Sequence, residues 1–321
     1  DTALSPLILS NSFSEATFVA KTLSGTTSPW TVFPGTLNTA LPDEIQGMIL
    51  DDLNVLYIRA VDQVGAKSPW TASPNMFIRK PQSDILFINA QRSSFNRAVV
   101  QNFYSNQVFN ALGKAFDTLQ AGPEGALFSD LSPDPITQDR VFSFFKKIFV
   151  YSENSEFILS LMQRSTTRFF TQGGKLLLIS EGNDGIQDQP AYLDFSPIGS
   201  YAVRPNQVAL LFNLGDSLFS SLPNYPALTS GSTIISGVRP FEMATNNASF
   251  RYEKLYEGVI TQDSAGNIGT WKGTSTLSAK RVRLNDNQTD FVIMMMPVYA
   301  LKHNQELDLW FQKMLIDELA F

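Results

Sequence analysis

An acidic cluster directly follows a strand-like apolar run near residue 180. The run is Lys175-Leu-Leu-Leu-Ile-Ser180, and Glu181, Asp184 and Asp188 come after it. Ligands of parallel α/β sheets bind outside the carboxyl ends of the strands, so Glu181 is a candidate catalytic residue, and Asn183 and Asp184 are candidate ligand-binding residues. The spacing departs from the Asp-x-Asp-x-Asp-Gly pattern of an EF-hand, and no metal site is predicted. The alternative is a solvated loop with a turn at 183–185.

Aromatic side chains offer a second kind of binding chemistry. The chain has 25 Phe, 9 Tyr and 4 Trp residues. Exposed rings can stack against sugars, and Trp271, within Gly-Thr-Trp-Lys-Gly, is the candidate for such a ligand-binding residue. The alternative is that Trp271 anchors a hairpin. Most other aromatic residues, Trp310 among them, are expected in the core, because aromatic side chains bury large areas.

Composition excludes several classes of function. The 321 residues include no cysteine and one histidine. Disulfides, thiolate zinc sites, thiol nucleophiles and multi-histidine metal sites are therefore excluded. The 24 Lys and Arg residues stand against 30 Asp and Glu residues, a net charge of −6. Without a basic tract to attract a phosphate backbone, no nucleic-acid partner is expected. No cofactor is expected either.

Residues 82–321 alternate between strand-like and helix-like segments. Gly173 and Gly174 are expected to end the third helix, because a residue just past a helix often needs positive φ. Residues 182–290 are less regular and are predicted to be loops with a small β excursion, with β-like pieces at 250–256 and 280–284. The alternation elsewhere predicts a parallel α/β sheet with helices on both faces. The predicted strands are 84–89, 116–119, 148–151, 175–180 and 290–297, and the predicted helices are 99–115, 136–145, 156–170 and 305–319.

Residues 1–81 have a different pattern, and a polar joint at 80–83 separates them from the rest. Short runs rich in β-branched and aromatic residues lie between turn-forming residues, which predicts a small all-β sandwich. The segment Leu56-Tyr-Ile-Arg-Ala-Val-Asp-Gln-Val-Gly-Ala-Lys-Ser68 resembles the late strands of bacterial fibronectin type III-like modules. We therefore expect two domains, 1–81 and 82–321.

The second domain also resembles a known family. The matching segments are Phe116-Asp-Thr-Leu119, Phe169-Phe-Thr-Gln-Gly-Gly-Lys-Leu-Leu-Leu-Ile-Ser180 and Met296-Pro-Val-Tyr299. They resemble class I glutamine amidotransferase-like domains, above all the divergent branch found in secreted bacterial proteins behind immunoglobulin-like modules. The resemblance implies a flavodoxin-like parallel sheet with helices on both faces for residues 82–321.

The resemblance also implies a position for a reaction centre. The family carries its nucleophile in a Gly-x-Cys-x-Gly turn, and Leu178-Ile-Ser-Glu-Gly182 is the matching stretch. Ser180 stands where the cysteine would be, and leucine replaces the first glycine. The family's His-x-Glu is matched by His303 and Glu306 with one extra residue between them, which suggests a Ser180–His303–Glu306 triad. The alternative is a strand end, a surface histidine and a helix start capped by Asn304.

Three functions remain open. The first is a non-catalytic, extracytoplasmic bacterial protein whose degenerate amidotransferase-like domain serves for binding or scaffolding. The second is a hydrolase of glycan or amide substrates that uses Ser180 or Glu181. The third is a carbohydrate-binding surface protein. By analogy with the resembled proteins, we expect the periplasm or cell surface, a glycan or another surface protein as partner, and a lipid anchor ahead of Asp1.

Overall fold

The chain divides into two compact units, Asp1–Pro81 and Gln82–Phe321. The division falls at the polar joint where the sequence pattern changes. The computed structural model describes residues 15–22, 31–36, 52–61, 66, 68–72, 76–78, 81–91, 94–121, 135–153, 158, 162–163, 165–181, 195–202, 210–213, 217–220, 222–231, 234–235, 238–258, 262–263 and 276–321.

The described part of the first unit is one antiparallel β-sheet. Its strands are β1 Glu15–Thr22, β2 Thr31–Thr36, β3 Asp52–Val61, β4 Thr71–Ala72 and β5 Met76–Ile78. β1 pairs with β2 and β3, while β4 and β5 both pair with β3. A sandwich needs a second sheet facing the first. The described strands belong to a single sheet, so the sandwich stays a prediction.

The second unit is a mixed α/β structure. Its strands are β6 Ile85–Ala90, β7 Asp117–Gln120, β8 Lys147–Ser152, β9 Lys175–Ser180, β10 Ile198–Tyr201, β11 Leu210–Asn213, β12 Ser217–Phe219, β13 Leu228–Thr229, β14 Ile234–Ile235, β15 Phe241–Met243, β16 Phe250–Gly258, β17 Gln262–Asp263, β18 Thr276–Arg283 and β19 Thr289–Met294. Its helices are α1 Ser94–Leu112, α2 Pro135–Phe142, α3 Thr166–Thr171 and α4 Gln305–Gln312, which continues as a π-helical segment, Lys313–Glu318. A 3₁₀ turn, Val298–Ala300, precedes α4.

One large sheet organises the second unit. Among the described strands its order is β13-β12-β16-β18-β19-β9-β8-β6-β7. The strands from β19 to β7 run parallel to one another, and those from β13 to β18 are joined by antiparallel pairs. Two smaller groups, β10-β15 and β14-β11-β17, lie outside this sheet. The parallel half brings the carboxyl ends of β6, β7, β8, β9 and β19 to one edge.

The central parallel strands are buried on both faces. Every residue of β6 and β19 is buried, as are all but the first residue of β8 and of β9. Successive side chains of a strand point to opposite faces. In β9, Leu177 and Ile179 therefore enter one core, and Leu176 and Leu178 enter the other. These strands are near-continuous apolar runs in the sequence because both of their faces are buried.

Helices cover each face of the parallel half. On the first face, named here the α1 face, Tyr104 of α1 and Trp310 of α4 pack with Phe87 and Phe149 of the sheet. On the second face, the α3 face, Phe142 of α2 and Phe169 of α3 pack with Leu86, Ile148 and Phe291. Helices lie on both faces, as predicted, but α3, Thr166–Thr171, matches only the last part of the predicted helix 156–170. Each face owes its stability to burying large aromatic side chains.

The antiparallel half of the sheet confirms one part of the sequence prediction and corrects another. The β-like pieces expected at 250–256 and 280–284 correspond to β16 and to the end of β18. They are not a small excursion, because β12, β13, β16 and β18 extend the main sheet beyond β19. An uncovered β19 edge would leave a row of backbone N–H and C=O groups without partners. β18 provides those partners, and Thr276 to Ala279 are buried as a consequence. Long connections separate these strands in the sequence, so the sequence does not show that they are neighbours in one sheet.

The end of α3 follows the prediction. Gly173 has a φ of 85°, a left-handed conformation that most residues adopt with strain. Gly174 lies against the ring of Phe169, and a Cβ at Gly174 would come within 2.5 Å of the Phe169 ring atoms. Two glycines are needed here for different reasons, one for backbone conformation and one for space.

Among the described helices, none is long and apolar enough to cross a membrane.

The close approach of Gly174 to Phe169 makes a stability prediction. Gly174→Ala should lower the free energy of unfolding by about 1–3 kcal/mol, because the buried ring must move to admit the methyl group. In a Phe169→Ala background the same substitution should cost under about 0.5 kcal/mol, since the clash is gone. Urea unfolding of the four proteins measures both values. An equal cost in the two backgrounds would show that the ring is not responsible.

Candidate functional site

The carboxyl ends of the parallel strands gather polar side chains that the interior excludes. Asn89 of β6 lies beside Tyr151 of β8 and beside Gln120 of β7 in the strand register, and Ser152 lies beside Ser180. Along the chain, β6 is followed by β7 on one side and then by β8 on the other. The crossover helices α1 and α2 therefore lie on opposite faces. In open α/β sheets a crevice forms at such a reversal of strand order, and ligands bind there.

Glu181 is the central titratable group at this edge. Its backbone N–H continues the ladder by donating to the Ser152 carbonyl oxygen at 2.9 Å. Its carboxylate accepts a hydrogen bond from the Tyr151 hydroxyl at 2.7 Å. Burial raises the pKa of the Glu181 carboxyl to about 7, the bond from Tyr151 lowers it, and the nearby Glu153 carboxylate raises it. Near neutral pH, this carboxyl can therefore both donate and accept a proton.

Tyrosine rings surround Glu181 on the α1 face. The ring of Tyr151 lies 4.5 Å from that of Tyr104 and 6.0 Å from that of Tyr299. The Tyr299 backbone N–H donates to the Tyr104 hydroxyl at 3.3 Å. Burial raises the pKa of Tyr104 and of Tyr151, and burial together with the Glu181 charge raises the pKa of Tyr299 to about 12. These hydroxyls stay protonated at neutral pH: that of Tyr151 donates to Glu181, and that of Tyr104 accepts from the Tyr299 N–H.

Side-chain amides continue the line of polar groups away from Glu181 and Tyr151. These amides, Glu181 and Tyr151 are named here the polar row. Gln101 of α1 accepts hydrogen bonds from Gln120 at 3.0 Å and from Asn89 at 3.4 Å. The Asn89 side-chain oxygen accepts from the Gln91 backbone N–H at 3.0 Å. Asn89 and Gln91 are buried. A buried polar group is costly without partners, so these bonds hold the amides in fixed positions at the strand ends.

Ser180 is directed away from this row. Strand alternation places its side chain with Leu176 and Leu178, on the α3 face, whereas Glu181 contacts Tyr151 on the α1 face. Ser180 is fully buried, and its hydroxyl donates to the Glu181 carbonyl oxygen at 3.4 Å. A serine nucleophile needs a general base within hydrogen-bond reach. Ser180 has a backbone carbonyl there instead.

His303 is a surface residue beside the final helix. Its Nε2 pairs with the Tyr299 carbonyl oxygen at 3.0 Å, and its ring stacks on Phe103 at 4.7 Å. Phe103 packs on the α1 face, so His303 and the Ser180 side chain belong to opposite faces of the sheet. Asn304 caps α4 by accepting from the Leu307 backbone N–H at 3.2 Å.

The hypothesised Ser180–His303–Glu306 triad is therefore not assembled. Glu306 is exposed in the first turn of α4, where a negative charge suits the helix dipole. Each of the two other members is bonded elsewhere. Ser180 cannot reach His303 because its side chain points to the α3 face. The side chain of the next residue, Glu181, points to the α1 face.

The remaining sequence candidates have mixed outcomes. Asn183, Asp184 and Trp271 lie outside the described residues. Trp310 is fully buried, as expected for a core residue. Glu153 was missed by the sequence reasoning, although its position directly after a buried strand is the signal that singled out Glu181. Within the described ranges, no group of three or more His, Asp and Glu side chains is placed to hold a metal ion.

Burial of Glu181 makes stability depend on pH. The ordinary pKa of a glutamate is 4.5 and that of Glu181 is about 7, so folding favours the protonated form. The associated stabilisation is complete below pH 4.5 and is lost as the pH rises through 7. We expect the difference in unfolding free energy between wild type and Glu181→Gln to fall by about 3 kcal/mol between pH 4.5 and 7.5. Urea unfolding across this range measures it, and a constant difference would contradict the assignment.

Comparison with known proteins gives no relative: no protein-family model, no curated protein and no solved structure matches this chain.

Proposed function

We propose that the Gln82–Phe321 unit is a non-catalytic binding domain that recognises a hydroxyl-rich ligand, such as a glycan, at the carboxyl edge of its parallel strands. One observation carries the proposal. Glu181, Tyr151 and the neighbouring amides form a polar row at that edge, while the Ser180 hydroxyl faces the opposite side of the sheet. The site can thus form hydrogen bonds, but among the residues that the structure describes here no nucleophile is paired with a base.

The strand order supports a flavodoxin-like, amidotransferase-like ancestry for this unit. Numbered along the chain, the parallel strands β6, β7, β8, β9 and β19 are arranged in the order 2-1-3-4-5. This order is the one found in flavodoxin-like sheets, which bind their ligands where strands 1 and 3 diverge. Here these strands are β6 and β8, which carry Asn89 and Tyr151. A fold of this kind hosts many activities, so the function rests on the site itself.

The chemistry of the site favours a ligand with many hydroxyl groups. Amide groups offer both donors and acceptors, phenols offer donors, and a carboxyl near its pKa offers either. A sugar hydroxyl can likewise donate and accept. The amides of Gln101 and Gln120 are already connected to one another, which fixes their directions before a ligand arrives. Preorganisation of this kind lowers the entropic cost of binding.

Binding should therefore depend on Glu181. A glycan array probed with the full chain identifies a ligand, and isothermal titration calorimetry then gives its affinity. We expect Glu181→Ala to weaken binding at least tenfold, because a bond to a charged or protonatable group contributes about 1.5–3 kcal/mol. Glu306→Gln is the matched control, since it removes an exposed carboxylate from α4 and should leave affinity unchanged. Equal affinity of Glu181→Ala and wild type would reject the site.

A second function is favoured by the pKa of Glu181. A carboxyl whose pKa is about 7 is suited to general acid–base catalysis near neutral pH. Glu153, on the end of the adjacent strand, is a second carboxylate whose charge reaches Glu181. Paired carboxylates flanking a bond are the arrangement of glycoside hydrolases. The second candidate is therefore hydrolysis of a glycan with Glu181 as the proton donor and Ser180 taking no part.

Turnover separates the two functions. The full chain is incubated with the glycan that it binds, and new reducing ends are counted. Binding without turnover supports the binding domain. Turnover that is lost in Glu181→Gln, kept in Ser180→Ala and falling above about pH 7 supports the hydrolase. Turnover lost in Ser180→Ala but kept in Glu181→Gln would contradict both.

For the whole chain we propose an extracytoplasmic bacterial surface protein that binds a glycan or another surface protein. The fibronectin type III-like segment at 56–68 supports this proposal, since such modules often accompany exported proteins. Protease treatment of intact cells of the source organism tests it. Digestion of the protein without lysis is the expected result, and protection until lysis would contradict a surface location.

A further inference from the structure

A cavity lies at the opposite edge of the sheet from Glu181. It is lined by residues of α3, the start of β16, the end of β18 and the start of β19, and its volume is about 660 Å³. Small-molecule sites in proteins span roughly 300–1,000 Å³ and are lined by apolar and aromatic side chains with a few polar groups. Asp290, at the amino end of β19, lines this cavity, whereas Glu181 follows the carboxyl end of β9. The two sites are separate.

Arg281 forms a rigid wall of the cavity. Its Nε and Nη2 donate to the two carboxylate oxygens of Asp290 at 2.8 and 3.1 Å, and its Nη1 donates to the Phe195 carbonyl oxygen at 2.5 Å. The guanidinium lies 4.1 Å from the ring centre of Phe170 and 4.5 Å from that of Phe250. Planar guanidinium groups stack well on aromatic faces. Arg281 is therefore held in place between the Phe170 and Phe250 rings, and Asp290 neutralises its charge.

Arg283 is the second cation in the cavity lining. One of its terminal nitrogens pairs with Asp286 at 2.7 Å, and 40% of the Asp286 side chain is exposed. The Arg283 Nε is buried and has no hydrogen-bond partner in the described part of the chain. A buried donor without a partner is costly. The charged residues that line the cavity are Arg281, Arg283 and Asp290, whereas Asp286, the partner of Arg283, is not among the lining residues.

We propose that this cavity binds a small organic anion with a flat aromatic body. The carboxylate of the ligand pairs with the Arg283 guanidinium, and the aromatic body packs against Phe170, Phe195 and Phe250. Arginine presents donors in a planar fork that matches a carboxylate. The lining rings match an aromatic body in shape and polarity. This site is independent of the polar row around Glu181.

The test uses two probes of the same shape and different charge. The anion 2-naphthoate and the neutral amide 2-naphthamide are titrated into the full chain by isothermal titration calorimetry. We expect 2-naphthoate to bind with one molecule per chain and at least tenfold more tightly than 2-naphthamide. Equal affinity for the two probes, or no binding of 2-naphthoate at millimolar concentration, overturns the proposal. This comparison needs only the wild-type protein.

Variants then locate the bound anion. Arg283→Gln should weaken 2-naphthoate at least tenfold and leave 2-naphthamide unchanged, whereas Phe250→Ala should weaken both probes. Arg251→Gln is the matched control, because Arg251 pairs with Glu253 at 2.6 Å and does not line the cavity. Glu181→Gln should leave both affinities unchanged, so this proposal and the proposed function fail separately. Unaltered 2-naphthoate affinity in Arg283→Gln would overturn the assignment.

Discussion

Burial of the parallel strands on both faces is the constraint on which the rest of the second unit depends. Side chains of β6, β8, β9 and β19 enter one of two apolar cores at every position in the middle of the sheet. A polar group there would lose its hydration without a partner, at a cost of several kcal/mol. Polar chemistry is therefore confined to the strand ends. The Glu181 row lies at the carboxyl ends, and the arginine-lined cavity lies at the amino ends.

Successive side chains of a strand point to opposite faces of the sheet, so neighbouring residues can have different partners. Ser180 and Glu181 are adjacent in sequence, yet one side chain faces the α3 core and the other meets Tyr151 on the α1 face. Serine in place of a thiol nucleophile would still need a base on its own face. The histidine of this chain is stacked on Phe103 on the other face. The same geometry that isolates Ser180 brings Glu181 among tyrosine hydroxyls, where burial raises its pKa.

The parallel half of the fold is predicted well because strands that are buried on both faces are apolar at nearly every position, and this pattern is visible in the sequence. Within β9, residues 176–179 are apolar at every position, and Gly173-Gly174 ends α3 as expected. In the antiparallel half, the β-like pieces at 250–256 and 280–284 could be predicted, but their addition to the main sheet at the β19 edge could not, since that pairing spans long connections. Glu181 was found from its place after a strand. The tyrosines were missed because they come from α1, β8 and the 3₁₀ turn and meet only in the fold.

Glu181 is a half-buried carboxyl that can exchange a proton near neutral pH. Its titration can be followed directly by NMR of the side-chain carboxyl carbon in protein labelled with ¹³C at glutamate, with Glu181→Gln used to assign the signal. The account predicts a midpoint about two pH units above that of the exposed glutamates, near pH 7. A midpoint near 4.5, together with a solvent-like chemical shift, would contradict it.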